Sequence, residues 1–226
     1  MSELNKNERS YVISYLTLRR AVGILGVVLP VILVVGSVIA CGCCDIQVSI
    51  SNYYHTCMRN VFVGIMCAVG FFLFSYTGYD IRDNIAGHFG AIFAIGVALL
   101  PTSFKGTSSC LIHPLSENPL TGYLHLTSAT LFFCVLIYFS LFLFTITKNP
   151  TPQKKKRNII YRVCGYTMLG CILLIGVYIL VLRGKVAWLD NSDPVFWFEA
   201  IALWAFGISW LTKGEVLLKD AEKQMQ

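Results

Sequence analysis

AVGILGVVLPVILVVGSVIACGCC, residues 21–44, contains no Asp, Glu, Lys or Arg. About 20 apolar residues in a helix cross roughly 30 Å of hydrocarbon, and this run is long enough. Further charge-free runs include residues 60–79 and 163–182. Hydrophobic residues make up 56 % of the 226-residue chain and charged residues 13 %, against about 25 % charged in soluble domains. Mean hydropathy is +0.66. With the apolar runs set aside, no segment is long enough for a soluble core, so the chain reads as a polytopic membrane protein. The first run is longer than the roughly 7–15-residue core of a secretory signal, and it reads as a retained span.

Working outward, the pattern predicts an all-α fold: a six-helix transmembrane bundle with both termini cytoplasmic. The predicted spans are residues 21–41, 59–76, 85–101, 122–147, 163–182 and 194–212. Residues 1–20 form a cytoplasmic or interfacial segment, 21–212 the six-span domain and 213–226 a cytoplasmic tail. Tyr11, Val12, Tyr15, Leu16 and Leu18 beside Arg19 and Arg20 suit a helix at headgroup level; a frayed tail with a basic anchor is the other reading. Pro30 lies inside the first span, where lipid-embedded helices tolerate proline. Gly64 with Ala68, and Gly90 with Ala94 and Ala98, recur at four-residue spacing and predict two close helix-packing faces. Gly106, Pro114 and Pro119 exclude regular structure from the loop after the third span. Pro150 and Pro152 mark residues 148–162 as a basic loop, and Pro194 is a good first helical residue.

Charge asymmetry sets the orientation. The termini, the turn after span two and the basic loop hold 14 Lys plus Arg; the opposite loops hold only Arg59, Lys105, Arg183 and Lys185. Excess Lys and Arg stay cytoplasmic. Trp188, Phe196 and Trp197 are then expected at the outer interface and Trp210 at the inner one. The net charge of +6 is explained by the same rule, because Lys154, Lys155, Lys156 and Arg157 sit between spans. Membrane lipids are the expected partners, with homo-oligomerisation a further option, and nucleic acid is not.

The polar stretch DIQVSISNYYHTCMRNVFV, residues 45–63, separates the first two spans. Within one helix Ser51, His55 and Arg59 lie at i, i+4 and i+8 and face one way. His125 just inside span four and Glu199 near the start of span six join them on the outer side, with Ser49, His113 and Asp190 nearby in sequence topology. A carboxylate inside a span is costly and usually faces a partner; Arg59 or His125 is expected. Two readings stay open. One is an outward-facing pocket of Ser51, His55, Arg59, His125 and Glu199, with histidine as base or ligand and Arg59 holding an anionic group such as a phosphate. The other is a set of ordinary interfacial residues reaching water. The first reading implies binding or transport of a lipid headgroup or small anionic solute. The alternatives are an intramembrane lipid hydrolase, with or without a metal, and a structural scaffold.

No HExxH, HxxxH or paired CxxC occurs, so no metal ligands are assigned, although His55, His125 and Glu199 are acceptable ligand types. The cofactor is unknown. Asp80, Arg82, Asp83 and His88 gather on the inner side, where a solvated turn plus a satisfied histidine is expected. Among the nine cysteines, Cys41, Cys43, Cys44, Cys57 and Cys110 fall outside. Cys110 has Cys57, Cys43 or Cys44 as its options, and at least one outer thiol stays free.

SISNYYHTCMRNVFVG (49–64), FFLFSYTGYD (71–80), FAIGVALLPTS (93–103) and FWFEAIALWAFGISWLTKGE (196–215) resemble a family of bacterial polytopic membrane proteins grouped as a domain of unknown function. That resemblance implies a six-helix protein of the bacterial inner membrane and no activity. A fainter similarity, to the ceramidase and adiponectin-receptor-like hydrolases, rests on Ser51, His55 and Asp80. The late HxxxH that completes the zinc site there has no counterpart in this chain.

Overall fold

The computed structural model describes residues 2–78, 80–103, 110, 118–147 and 151–218, with side chains from residue 15 onward. Regular structure among these residues is helical throughout. The long helices are α1 (Ser2–Cys41), α2 (Arg59–Phe74), α3 (Ile81–Leu99), α4 (Pro119–Tyr138), α5 (Pro152–Val177) and α7 (Pro194–Lys213). A short 3-10 helix (Ile50–His55) precedes α2, and the four-residue α6 (Ala187–Asp190) precedes α7. Single π-helical turns, Phe139–Leu143 and Tyr178–Leu182, extend α4 and α5.

Among the described residues four helical stretches are long and apolar enough to cross a membrane: Tyr15–Cys41, Pro119–Leu143, Pro152–Leu182 and Pro194–Lys213. They make this a membrane protein. The helix α2 is equally apolar but has 16 residues, about 24 Å at 1.5 Å per residue. Polar residues in the first turn of α3 dilute its hydropathy.

Local chemistry sets the helix starts. The Asn118 side chain accepts from Leu120 N–H at 3.0 Å and the Thr151 hydroxyl from Lys154 N–H at 3.1 Å, each followed by proline at the first helical position. Such side chains satisfy backbone donors the helix leaves open. Asp80 and Asp83 form a capping box at α3. The Thr151 cap corrects the expected basic loop: Lys154 to Arg157 lie in the first turns of α5. The expected short headgroup helix is likewise part of one continuous α1, with Pro30 inside it.

Each long helix packs on its chain neighbours, and α7 closes the ring against both α5 and α1. Alternate helices run in opposite directions, so the bundle has two chemically distinct ends. The basic end holds the starts of α3 and α5 and the end of α7. The disulfide end holds the end of α1, the 3-10 helix and the start of α7. The α1–α7 seam depends on two glycines. A Cβ on Gly23 would meet Gly207 O at 2.9 Å, and one on Gly207 would meet Gly23 O at 2.7 Å, so the backbones touch without side chains between them. Trp204 Nε1 donates to Val27 O across the same seam at 3.2 Å.

Among the predicted packing faces, Ala94 and Ala98 are fully buried, and Gly90 lies against Leu73 and Val135. Gly64 is different: a Cβ there would meet nothing within 4 Å, so it makes no close helix contact. Trp210 is also not interfacial. It is fully buried, with its ring 5.2–5.4 Å from Tyr76, Phe139 and Phe144, and these aromatics fill the basic end. Phe196 is buried as well, whereas Trp188 and Trp197 are exposed. Ser140, in the first π turn, and Ser209 on α7 share a fully buried hydrogen bond of 2.8 Å. Gly106, His113 and Pro114, the side chains of Tyr11 and Val12, and the tail from residue 219 lie outside the described residues.

Candidate functional site

Two disulfides shape one end of the bundle. Cys41, at the end of α1, is joined to Cys57, and Cys43 to Cys110. Their Cα separations of 6.5 and 5.7 Å suit the bond. Cys43 is one of the three partners expected for Cys110, and Cys44 stays free and exposed. The chain between Cys41 and Cys57 is thereby held across the bundle end.

Within that loop the 3-10 helix is capped at both ends. The Ser49 hydroxyl accepts from Asn52 N–H at 3.1 Å. The Thr56 hydroxyl donates to Tyr53 O at 2.9 Å and accepts from Met58 N–H at 3.2 Å. Thr56 is extended, so the 3-10 helix does not run on into α2. Ser51, His55 and Arg59 therefore do not share one continuous helix face. All six residues of the 3-10 helix are buried. Burial pushes the Tyr53 hydroxyl pKa up, which keeps it neutral.

The polar side chains converge on the end of α3. Its last carbonyls lack helical donors, and Pro101 stops the helix from continuing. Tyr54 Oη donates to Leu99 O (3.4 Å), His125 Nδ1 to Leu100 O (2.8 Å) and His55 Nε2 to Thr102 O (2.8 Å). A carbonyl only accepts, so these bonds assign the tautomers: the ring proton is on Nδ1 of His125 and on Nε2 of His55. Nε2 of His125 is then an acceptor, buried and without a hydrogen-bond partner among the described residues. The two imidazoles lie within electrostatic reach of each other. Arg59 closes the group, donating from Nη2 to Tyr54 Oη at 2.9 Å with its guanidinium carbon 4.5 Å from the Tyr54 ring centroid.

Glu199 meets the start of the 3-10 helix. Its Oε2 accepts from Ile50 N–H at 2.6 Å, a short bond. The partner is thus a backbone amide rather than Arg59 or His125. Glu199 and Ser51 line a cavity of about 30 Å³ whose other walls include Phe62, Met66, Phe132 and Leu203. That volume holds about one water. Glu199 is the one acidic side chain among the residues lining it.

The structure thus gathers the five predicted residues around the 3-10 helix in two subsets, Ser51 with Glu199 and His55 with Arg59 and His125. His113 lies outside the described residues. Asp190 is elsewhere, accepting from Tyr178 Oη (2.7 Å) and Gly184 N–H (3.0 Å) in the α5–α7 connection. Asp80 and Asp83 sit at the opposite, basic end. Asp83 is buried and accepts from Asp80 N–H at 3.2 Å, so that turn is not simply solvated. His88 is exposed, with its ring 4.9 Å from Phe74. The ligand atoms of His55, His125 and Glu199 do not form a metal-sized cluster. Cys43, Asp45 and Cys110 are the group among the described residues that does, and its two sulfurs are joined to each other.

Sequence reasoning missed two features. The carbonyl edge from Leu99 to Thr102 is the common acceptor for Tyr54, His55 and His125; Pro101 was the available signal, because a proline after a helix leaves carbonyls to be satisfied. The cations of the basic end were read only as topology markers. Comparison of the chain with protein families, with curated proteins and with solved structures gives no match.

Proposed function

We propose a six-span membrane protein, both termini cytoplasmic, that binds or conducts a small cation or proton at Glu199 from the outer side. Two features support six spans: α2 and α3 complete the ring of alternating helices, and 14 of 18 Lys and Arg fall on one side of such a topology. The resemblance to bacterial inner-membrane proteins supports that location, and two disulfides at one end suit its oxidising face.

The observation that carries the ligand reading is a carboxyl group lining a water-sized cavity inside a span whose other walls, Ser51 apart, are apolar. Isolated intramembrane carboxylates are costly and mark ion or proton paths. Among the described residues Glu199 takes one hydrogen bond, from Ile50, and has capacity for more. An anionic ligand, the expectation from sequence, suits this end less well. The Glu199 carboxyl offers an acceptor rather than a donor, Arg59 is engaged with Tyr54, and a lipid headgroup exceeds the cavity. A hydrolase is not favoured either: His55, His125 and Glu199 do not cluster as metal ligands among the described residues, and Ser51 lines the Glu199 cavity rather than joining the imidazoles.

The test is flux in proteoliposomes, with imposed H⁺, Na⁺ and K⁺ gradients read by pH- and potential-sensitive dyes. One of these gradients is expected to be dissipated by wild type and not by Glu199→Gln. Equal flux through wild type and Glu199→Gln, or none above empty liposomes for all three ions, overturns the proposal.

A further inference from the structure

At the basic end, cations from three helices meet over the aromatic floor. Arg19 of α1 is only 6 % exposed and Arg157 of α5 only 7 %. The Arg19 guanidinium carbon lies 4.5 Å from the Tyr15 ring and 5.5 Å from the Tyr76 ring. Lys154 Nζ donates to Phe144 O at 2.6 Å and sits 5.3 Å from the Tyr161 ring. Lys213 Nζ is 5.1 Å from the Phe144 ring, and Lys213 feels the like charges of Arg19, Lys154 and Arg157 and the opposite charge of Asp83. Two carboxylates belong to the group. Asp83 is held in its capping box, and Glu215 lies 3.9 Å from Arg157.

Topology alone does not require this arrangement. Basic residues at a membrane face ordinarily extend into water, as the exposed Lys155 and Lys156 do. Arg19 instead lies folded against tyrosines, with Nε buried and without a hydrogen-bond partner among the described residues. Gathering like charges away from water is unfavourable, and an anion between them reverses the sign of that interaction. Two guanidinium forks and two ammonium groups match the oxygens of a phosphate.

We propose that Arg19, Lys154, Arg157 and Lys213 form a phosphate-binding site at the basic end of the bundle. The phosphate is either that of a lipid headgroup or a free one. The site lies at the opposite end from Glu199 and rests on no assumption about it.

The full chain in detergent, delipidated, is titrated in two arms and followed by thermal melting. One arm adds sodium phosphate against sodium chloride at matched ionic strength. The other adds short-chain phosphatidylglycerol against a neutral glycolipid of the same chain length. Stabilisation over the control in the first arm identifies free phosphate as the source, and stabilisation confined to the second identifies the lipid headgroup. In the responding arm Arg19→Gln and Lys154→Gln each weaken the half-saturating concentration at least tenfold, while Arg183→Gln, exposed at the other end, leaves it unchanged. Should Arg19→Gln fail to fold, Lys154→Gln alone decides. No stabilisation over control in either arm, or wild-type titration by the folded variants, overturns the proposal.

Discussion

Glu199 Oε2 and the Ile50 amide are 2.6 Å apart although 149 residues separate them in sequence. This bond ties the first turns of α7 to the start of the 3-10 helix. One carboxylate therefore both lines the small cavity and anchors the segment that covers it. Glu199→Ala removes the acceptor and leaves the Ile50 N–H unsatisfied, at a cost of about 1–3 kcal/mol. Glu199→Gln retains an acceptor and costs less. Denaturant melts of both variants should rank wild type, Gln, Ala in falling stability; equal stability for all three contradicts the anchoring role.

Reduction should loosen the same end. The Cys43–Cys110 bond closes a sequence separation of 67 residues, and loss of a disulfide of that reach costs about 2–5 kcal/mol. The Cys41–Cys57 bond spans 16 and should matter less in the chain-entropy picture. Cys43→Ser is expected to lower the melting temperature more than Cys57→Ser, and the reverse order contradicts that picture.

His125 caps the end of α3 through Nδ1. His125→Phe keeps a ring of similar size but strands the Leu100 carbonyl, so a loss of about 1–3 kcal/mol is expected. His125→Asn, whose side-chain amide also donates, should recover part of it. Hydrogen exchange at the end of α3 should rise in His125→Phe with the basic end unaffected. Unchanged exchange there would show that the bond contributes nothing.

The α1–α7 seam is equally exposed to test. Gly207→Leu places a side chain against Val27 and Gly23 O, where overpacking costs about 1–3 kcal/mol. Gly64→Leu, at a position with no neighbour within 4 Å of the added Cβ, should be nearly silent. Similar losses in the two variants would contradict the packing described.

The sequence read membrane class well because charge-free runs act over whole segments. Helix ends were harder. Thr151 and Pro152 begin α5 well before the apolar run at Val163, since a cap acts locally and hydropathy does not register it. The predicted face of Ser51, His55 and Arg59 failed for a similar reason. Thr56 caps the 3-10 helix, and a threonine in that role looks in sequence like any helix residue. The gathering of His55, His125 and Glu199 near one segment was legible, because polar groups in lipid have few places to go. Their actual partners, the backbone groups of Leu100, Thr102 and Ile50, were not legible, because carbonyls and amides carry no sequence signature.

The orientation of the two ends relative to the membrane is tested most directly by thiol labelling in intact cells. Cys44 is free and exposed at the disulfide end, and Lys156 is exposed at the basic end. A membrane-impermeant maleimide should label Cys44 from outside, and should label Lys156→Cys in a Cys44→Ser background only after permeabilisation. Labelling of both positions from the same face, or of Lys156→Cys from outside, would contradict the account.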